Sequence, residues 1–398
     1  MRNMKMLFIT STNLSTNPRL VKEITLASQM GFGGTVLQFY FDNWSDAPTK
    51  KLELQFPAFS FVSIPATRKN IYNWLVSSFI EKFYRLLPLS FLSVKNLSFS
   101  ISKRSFLLLS AKKKLSNHYD WVIAHNPASF LPAYFHASHF NAKLGLDVED
   151  YHPGEGNNPV MTQRLLRLFK ETLPRANYCS YASDQIREQL QSQINISNQN
   201  HFTIINSFYS SEFKRAAHGQ GERLKLVWFS QYIDYSRGLE PLLQYVSQKQ
   251  FQFELHLIGN IKYPFGNEAY LKAQNIYIHP PINQDELHVL LSEFDIGLAL
   301  EPGKDINNKL ALSNKLLAYI QAGLLPLVSS TPGQIDFLNK QNIDHVLFPI
   351  NEREIDLTMQ KLYKDIHIIR DAALKRFENA KRFDFSVFGK PLIKEWIN

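Results

Sequence analysis

The chain reads as an α/β protein made of two doubly wound parallel-sheet units in tandem. Three observations point there. Short apolar runs alternate with segments of helical periodicity, and the alternation restarts once, after a composition break at residues 214–221. Residues 295–334 run strand, polar loop, helix, strand, and a crossover of that length implies two parallel neighbours in one sheet. The length of 398 residues also leaves room for two domains that each bury a core. The expected division is 1–214, 222–380 and a last segment, 381–398. That segment is a helix crossing back to the first domain, with Trp396 and Ile397 to bury.

In the first unit, residues 6–10 form a strand and 18–30 a helix, capped by Asn17 with proline at its first position. Between them the polar turn 11–17, with Ser11, Thr12 and Asn17, lies at a strand's carboxyl end, where open parallel sheets bind ligands. Residues 35–41 are the second strand. The glycine-rich 31–34 follows the helix rather than the first strand, so it reads as a chain reversal and not as a dinucleotide fingerprint. A strand at 120–124 ends at His125. Another at 143–148 ends in Glu149, Asp150, His152 and Glu155. Carboxylates and an imidazole at such an edge suit acid–base chemistry, and equally suit loop solvation and helix capping. Strands at 177–181 and 203–205 complete the sheet, with Asn206 at its edge.

The second unit opens with a strand at 226–229 and a turn at 230–238 holding Gln231, Arg237 and Gly238; a helix starts at Leu239. A strand at 254–258 ends at Gly259, a third covers 276–278, and a helix starts at Asp285. The strand 296–300 ends at Glu301. Ser313-Asn314-Lys315 then opens a helix that stops at Gly323, followed by a strand at 324–328. Ser313 suits an N-cap and Gly323 a C′ position. Lys315 falls in the first turn, where the macrodipole disfavours a cation by roughly a few tenths of a kcal/mol. An anion bound to the free N–H groups would explain it; so would a solvated lysine that tolerates the penalty.

A formal net charge of +9 favours partners that carry phosphate, while 44% hydrophobic and 20% charged residues describe an ordinary globular chain. The single cysteine, Cys179, excludes an internal disulfide framework and a multi-cysteine zinc site, and suits a reducing compartment as a core thiol. No cleavable leader or transmembrane stretch is legible, so a cytoplasmic protein is expected, peripheral to a membrane if associated with one. Residues 67–115 hold ten Lys or Arg against one acid, Glu81, interleaved with Trp74, Leu75, Phe79, Phe83, Leu86 and Phe91. That suits a helix lying on an anionic bilayer; the alternative is an apolar face packed on the domain with a solvated basic face. A nucleic-acid partner is not expected, because no binding motif accompanies the charge.

The segments VWFSQYIDYSRGLEPLL, LHLIGN, PINQDELHVLL, FDIGLALEPG and SNKLLAYIQAGLLPLVSS, in that order, resemble GT-B glycosyltransferases of the retaining group 1 (family 4) type. The resemblance implies two Rossmann-like domains facing a cleft. It also implies transfer of a sugar from a UDP- or GDP-sugar to a glycan or lipid-linked acceptor in surface polysaccharide or glycolipid synthesis. Arg237 stands where the family has its diphosphate-binding lysine, and Gly238 follows as expected. Gln231 replaces a usual arginine, with Lys315 and the Ser313-Asn314 turn placed to supply the missing charge, and Gly259 ends a family strand. Glu301 keeps the place of a first glutamate, whereas the second, a frequent ribose contact, falls on Ala318. The turn with Ser11, Thr12 and Asn17 replaces a glycine-rich loop on the acceptor side, which also holds Asn206. Glu149 and Asp150 stand where many relatives have histidine, so Glu149, Asp150, His125 and His152 are the candidate catalytic groups. No cofactor or metal is expected, the nucleotide sugar being a substrate and cations with helix N-termini doing a metal's work. Two readings compete: a nucleotide-sugar 2-epimerase of similar fold, using the His/Asp/Glu cluster, and a non-catalytic binding protein, suggested by Ala318 and Gln231.

Overall fold

The computed structural model describes residues 4–196, 200–215 and 221–398. Most of the composition break at 214–221 lies outside them. The chain divides into two compact units, Met1–Ile204 with Gly389–Asn398, and Ile205–Phe388. The division therefore falls ten residues before 214. Phe208 and Phe213 pack into the core of the second unit with Leu291 and Leu317, which is what draws residues 205–213 there.

The first unit is a seven-stranded sheet: β1 (Lys5–Thr10), β2 (Gly33–Tyr40), β3 (Phe59–Pro65), β4 (Trp121–His125), β5 (Lys143–Val148), β6 (Tyr178–Tyr181) and β7 (Asn200–Thr203). Their order is β3-β2-β1-β4-β5-β6-β7, with every pairing parallel. The order reverses at β1 and β4, so the carboxyl ends of these two strands flank the switch point of the sheet. The expected strand at 203–205 lies earlier, because Asn200–Thr203 pairs with Tyr178–Tyr181. Of the glycines at 31–34, Gly31 makes the reversal with a φ of 75°, whereas Gly33 and Gly34 already belong to β2. Helix Pro18–Gln29 is capped as expected: the Asn17 side chain accepts from the Leu20 N–H at 3.0 Å.

Helix Lys390–Ile397 belongs to this first unit and carries Trp396 into its core. The Trp396 indole N–H donates to the Tyr178 hydroxyl at 3.2 Å, and the Trp121 indole N–H donates to the Trp396 carbonyl at 3.2 Å. The basic region forms three helices rather than one: Ile71–Leu86, Val94–Ile101 and Lys103–Ser110. Helix Pro159–Thr172 fastens them. Arg164 donates to the carbonyls of Tyr84, Arg85 and Leu87 at 3.1, 2.9 and 3.0 Å, and Arg167 to those of Leu89 and Leu92.

The second unit is a six-stranded parallel sheet: β8 (Leu224–Ile233), β9 (Phe253–Ile261), β10 (Ile276–His279), β11 (Ile296–Ala299), β12 (Leu325–Val328) and β13 (Val346–Leu347). Their order is β10-β9-β8-β11-β12-β13. The expected turn at 230–238 is shorter, because β8 continues to Ile233 across a register shift between Phe229 and Tyr232. Gly259 explains how. A Cβ there would lie 2.2 Å from the Ser230 carbonyl oxygen, and its φ of 154° is one that side chains resist, so only glycine lets the bulged strand come this close.

Candidate functional site

The carboxyl edge of the second sheet carries the site. β11 leads through Leu300 to Glu301, and β12 leads through Ser329, Ser330 and Thr331 into helix Pro332–Lys340. The Ser329 hydroxyl ties the two strand ends together by accepting the Glu301 N–H at 2.5 Å. These ends line a pocket of about 430 Å³ with Gly238, Pro302, Gly303, Lys309 and Pro349. A larger hollow, about 720 Å³, opens beside Arg223, Lys225, Glu254 and Tyr277, where the strands begin. Parallel α/β sheets bind ligands at the other edge, so the smaller pocket is the candidate site.

Its chemistry starts with Lys315 in the first turn of helix Asn314–Gln321. Lys315 Nζ lies 2.8 Å from Glu301 Oε1, and both side chains are about 15% exposed. Burial would push the Glu301 carboxyl up, but Lys315, together with hydrogen bonds from Asn308 and Ser313, holds it below the usual range. Lys315 Nζ also lies 5.8 Å from the centre of the Trp228 ring. Ser313 thus bonds to Glu301 and does not cap its helix as expected. Asn314 Oδ1 accepts from Asn206 Nδ2 at 3.0 Å.

Arg237 closes a short turn, Tyr235–Arg237, and Gly238 follows with a left-handed φ of 70° beside the pocket. Asp234 organises the turn by accepting from the Ser236 N–H at 3.0 Å and pairing with Lys262 Nζ at 3.4 Å. Arg237 Nε stands 3.6 Å from Asp234 Oδ1, too far for a hydrogen bond, so this buried N–H is left without an acceptor. Gln231 sits exposed on the bulge. Gly259 serves the backbone approach to Ser230 and, like Gln231, Arg237 and Lys315, does not itself line the pocket. Ala318 is fully buried in the core of the unit.

Sequence reasoning missed the Ser329-Ser330-Thr331-Pro332 turn and Lys309. The first was signalled: cap-type residues followed by proline at the first helical position, directly after a strand. Such a helix start offers free N–H groups to an anion.

The first sheet's edge behaves differently. His125 ends β4 and is fully buried, with Nε2 3.3 Å from Glu23 Oε2 and Nδ1 3.2 Å from Asp147 Oδ2. Arg19 grips the same Asp147 through Nε at 2.8 Å and Nη2 at 2.5 Å, and the Ser180 hydroxyl donates to it at 2.6 Å. Burial opposes protonation of His125, yet Glu23 and Asp147 push it up to about 10. Burial would raise Asp147, but Arg19 and His125 hold it far below the usual carboxylate range. His125 is therefore part of a sealed ionic core rather than of an exposed catalytic cluster, because Arg19, Glu23 and Asp147 turn it inward.

The other candidates stay near the surface. Burial, with the neighbouring Asp150 charge, pushes the partly buried Glu149 up to about 7. Burial would lower His152, but the bond from Nδ1 to Glu155 Oε1 at 2.7 Å raises it. Asp150, His152 and Glu155 place one ligand atom each within 4.8 Å of one another, as do Glu23, His125 and Asp147. Only the surface group has the character of a metal site, since the Arg19 guanidinium supplies the positive charge of the buried one. On the turn after β1, Ser11 is held by Arg104 Nη1, which donates to its carbonyl at 2.7 Å, while Thr12 is half-buried. Asn17 is buried as a helix cap, and Asn206 is buried at the start of the second unit.

No family model matches the chain, and no curated protein matches it. Solved structures do. Anabaena HepE in complex with UDP is similar over 98% of this chain and 99% of its own, at 12% identity and a TM-score of 0.68. TarM matches over 100% and 99% at 11% identity, TM-score 0.68. Sucrose-phosphate synthase from Thermosynechococcus elongatus matches over 99% and 98% at 13% identity, TM-score 0.68. The chain has the GT-B glycosyltransferase fold. In GT-B terms, β1–β7 with the last helix form one Rossmann-like domain, and β8–β13, with the pocket lined by Glu301, form the other.

Proposed function

We propose that this protein is a family 4-like glycosyltransferase. It takes a hexose from a UDP- or GDP-sugar, with retention and without a metal, and passes it to a glycan or lipid-linked acceptor in surface polysaccharide or glycolipid synthesis. The protein works in the cytoplasm, at the inner face of the membrane. The observation that carries this reading is the pocket joining Gly238, Glu301, Lys309 and Ser329–Thr331 at the carboxyl edge of a GT-B second domain. One similar structure is a complex of HepE with UDP-glucose, which supports a nucleotide sugar as donor.

In this reading the donor diphosphate lies among Arg237, Lys315 and the N–H groups that open helices Asn314–Gln321 and Pro332–Lys340. Glu301 fixes Lys315 Nζ at one point, so the cation needs no reorganisation as charge builds on the leaving diphosphate. That is stabilisation of the transition state rather than mere holding of the donor. The unused Nε–H of Arg237 supplies a further donor. In the first domain, Glu149, with a carboxyl near 7, is the group able to exchange a proton at neutral pH, beside Asp150 and His152.

A thermal-shift screen of UDP, GDP and their sugars tests the donor site, since binding to the native state raises apparent stability. Stabilisation by one nucleotide, lost in Arg237→Ala and Lys315→Ala, is the expected result. Turnover unchanged in both variants would overturn the assignment. Conversion of donor sugar without acceptor would indicate the epimerase, and binding without turnover of any pair the non-catalytic protein.

A further inference from the structure

Helix Ile71–Leu86 is amphipathic the wrong way round for a soluble domain. Tyr72, Leu75, Phe79, Phe83 and Leu86 are 74, 53, 69, 47 and 84% exposed, and Phe91 just beyond is 76% exposed. At about 100° per residue, the first five fall in one sector of roughly 80° along the whole helix. Phe79 and Phe83 stack on each other with ring centres 6.1 Å apart. The opposite side faces the domain, with Ser77 buried and Tyr84 packed against the cluster of Leu92, Leu97 and Leu168. The arginine clamp from helix Pro159–Thr172 fixes this presentation.

We infer that this face docks on an anionic lipid bilayer. Charge complementarity selects that occupant. Lys82 borders the apolar sector, and Lys95 and residues 112–114, all lysine, are exposed in the same helical region. Its only acid, Glu81, is already paired to Arg85 at 2.8 Å. A second copy of the chain would bring this basic surface against its own like, whereas acidic headgroups neutralise it while the aromatic and leucine side chains enter the acyl boundary. The helix lies on the surface and does not cross it: no described helix is long and apolar enough to span a membrane. The Arg104–Ser11 bond links the same helical region to the turn after β1. The docking inference does not rest on the sugar-transfer reading and holds for a chain with no transferase activity.

Co-sedimentation of the full chain with vesicles tests it, comparing phosphatidylcholine alone with phosphatidylcholine containing phosphatidylglycerol. The expected result is binding to the anionic vesicles that weakens with salt. It should fall by about tenfold or more in Phe79→Ser/Phe83→Ser, because partition tracks buried apolar area. These side chains are exposed, so the variant should unfold at the same temperature as the parent. A separate charge variant, Lys82→Glu, should weaken anionic binding alone. No binding to anionic vesicles, binding indifferent to the double substitution, or a vesicle-indifferent dimer that the double substitution dissolves would each overturn the inference.

Discussion

The two sheets set charged residues at equivalent carboxyl edges and use them in opposite ways. At the first, Arg19, Glu23, His125 and Asp147 are at most 2% exposed and lie within ion-pair distance of one another, Arg19 bonding Asp147 and His125 standing 3.2–3.3 Å from Asp147 and Glu23. At the second, Glu301 and Lys315 make one pair, about 15% exposed, beside an open pocket. A charge whose partners enclose it serves the fold. A charge pair that borders an open pocket stays within reach of solvent. Position on the sheet alone does not separate these cases; the access of solvent does.

The largest expected effect tests the sealed half. Asp147→Ala removes the carboxylate that Arg19 grips and leaves His125 with Glu23 alone, and losing one partner of a buried ionic group typically destabilises by about 3–5 kcal/mol. Urea unfolding measures it, and a midpoint close to the parent's would show the network to be less enclosed than described. The network also has a pH signature. His125 is raised to about 10, so its stabilisation is complete below 6.5 and disappears as pH rises through 10. Asp147 is depressed, so its contribution is present above 3.8 and lost only as pH falls well below that. The destabilisation by Asp147→Ala should therefore narrow at both extremes.

Next in size is Gly259→Ala, expected to destabilise by about 1–3 kcal/mol through strain against the Ser230 carbonyl. A loss of UDP affinity with unchanged stability would instead point to a ligand contact at Gly259. Lys315→Ala contrasts with Asp147→Ala: about a tenfold or larger loss of nucleotide affinity by calorimetry, with a smaller loss of stability than Asp147→Ala because the pair keeps some access to solvent. The smallest effect is Glu149→Gln. Its raised carboxyl makes the parent lose stability as pH climbs from 4.5 through about 7, so the variant should gain relative stability only at the upper end. Thermal melts across that range measure it, and a constant difference would contradict the shift.

Much of this comparison was legible in the residues. The strands were visible because their apolar runs are short and bounded by polar turns, and Asn17 before Pro18 marked a helix start that the structure keeps. The extension of β8 was hidden, because Ser230-Gln231 reads as a turn until Gly259 is seen to accommodate the bulge. The inward turn of His125 was hidden for another reason. Arg19 and Asp147 are 128 residues apart, and only the pairing of β1, β4 and β5 brings them around it. Both features depend on contacts distant in sequence, whereas caps and turns are local.

Arg164 and Arg167 carry one more consequence. A helix end leaves its last carbonyls without intrahelical partners, and in water these are simply hydrated. The carbonyls of Tyr84, Arg85, Leu87, Leu89 and Leu92 instead receive guanidinium donors from beneath. Their hydrogen bonds do not depend on solvent. The exposed helix can lose its hydration shell there without stranding the carbonyls of Tyr84 and Arg85 in its last turn.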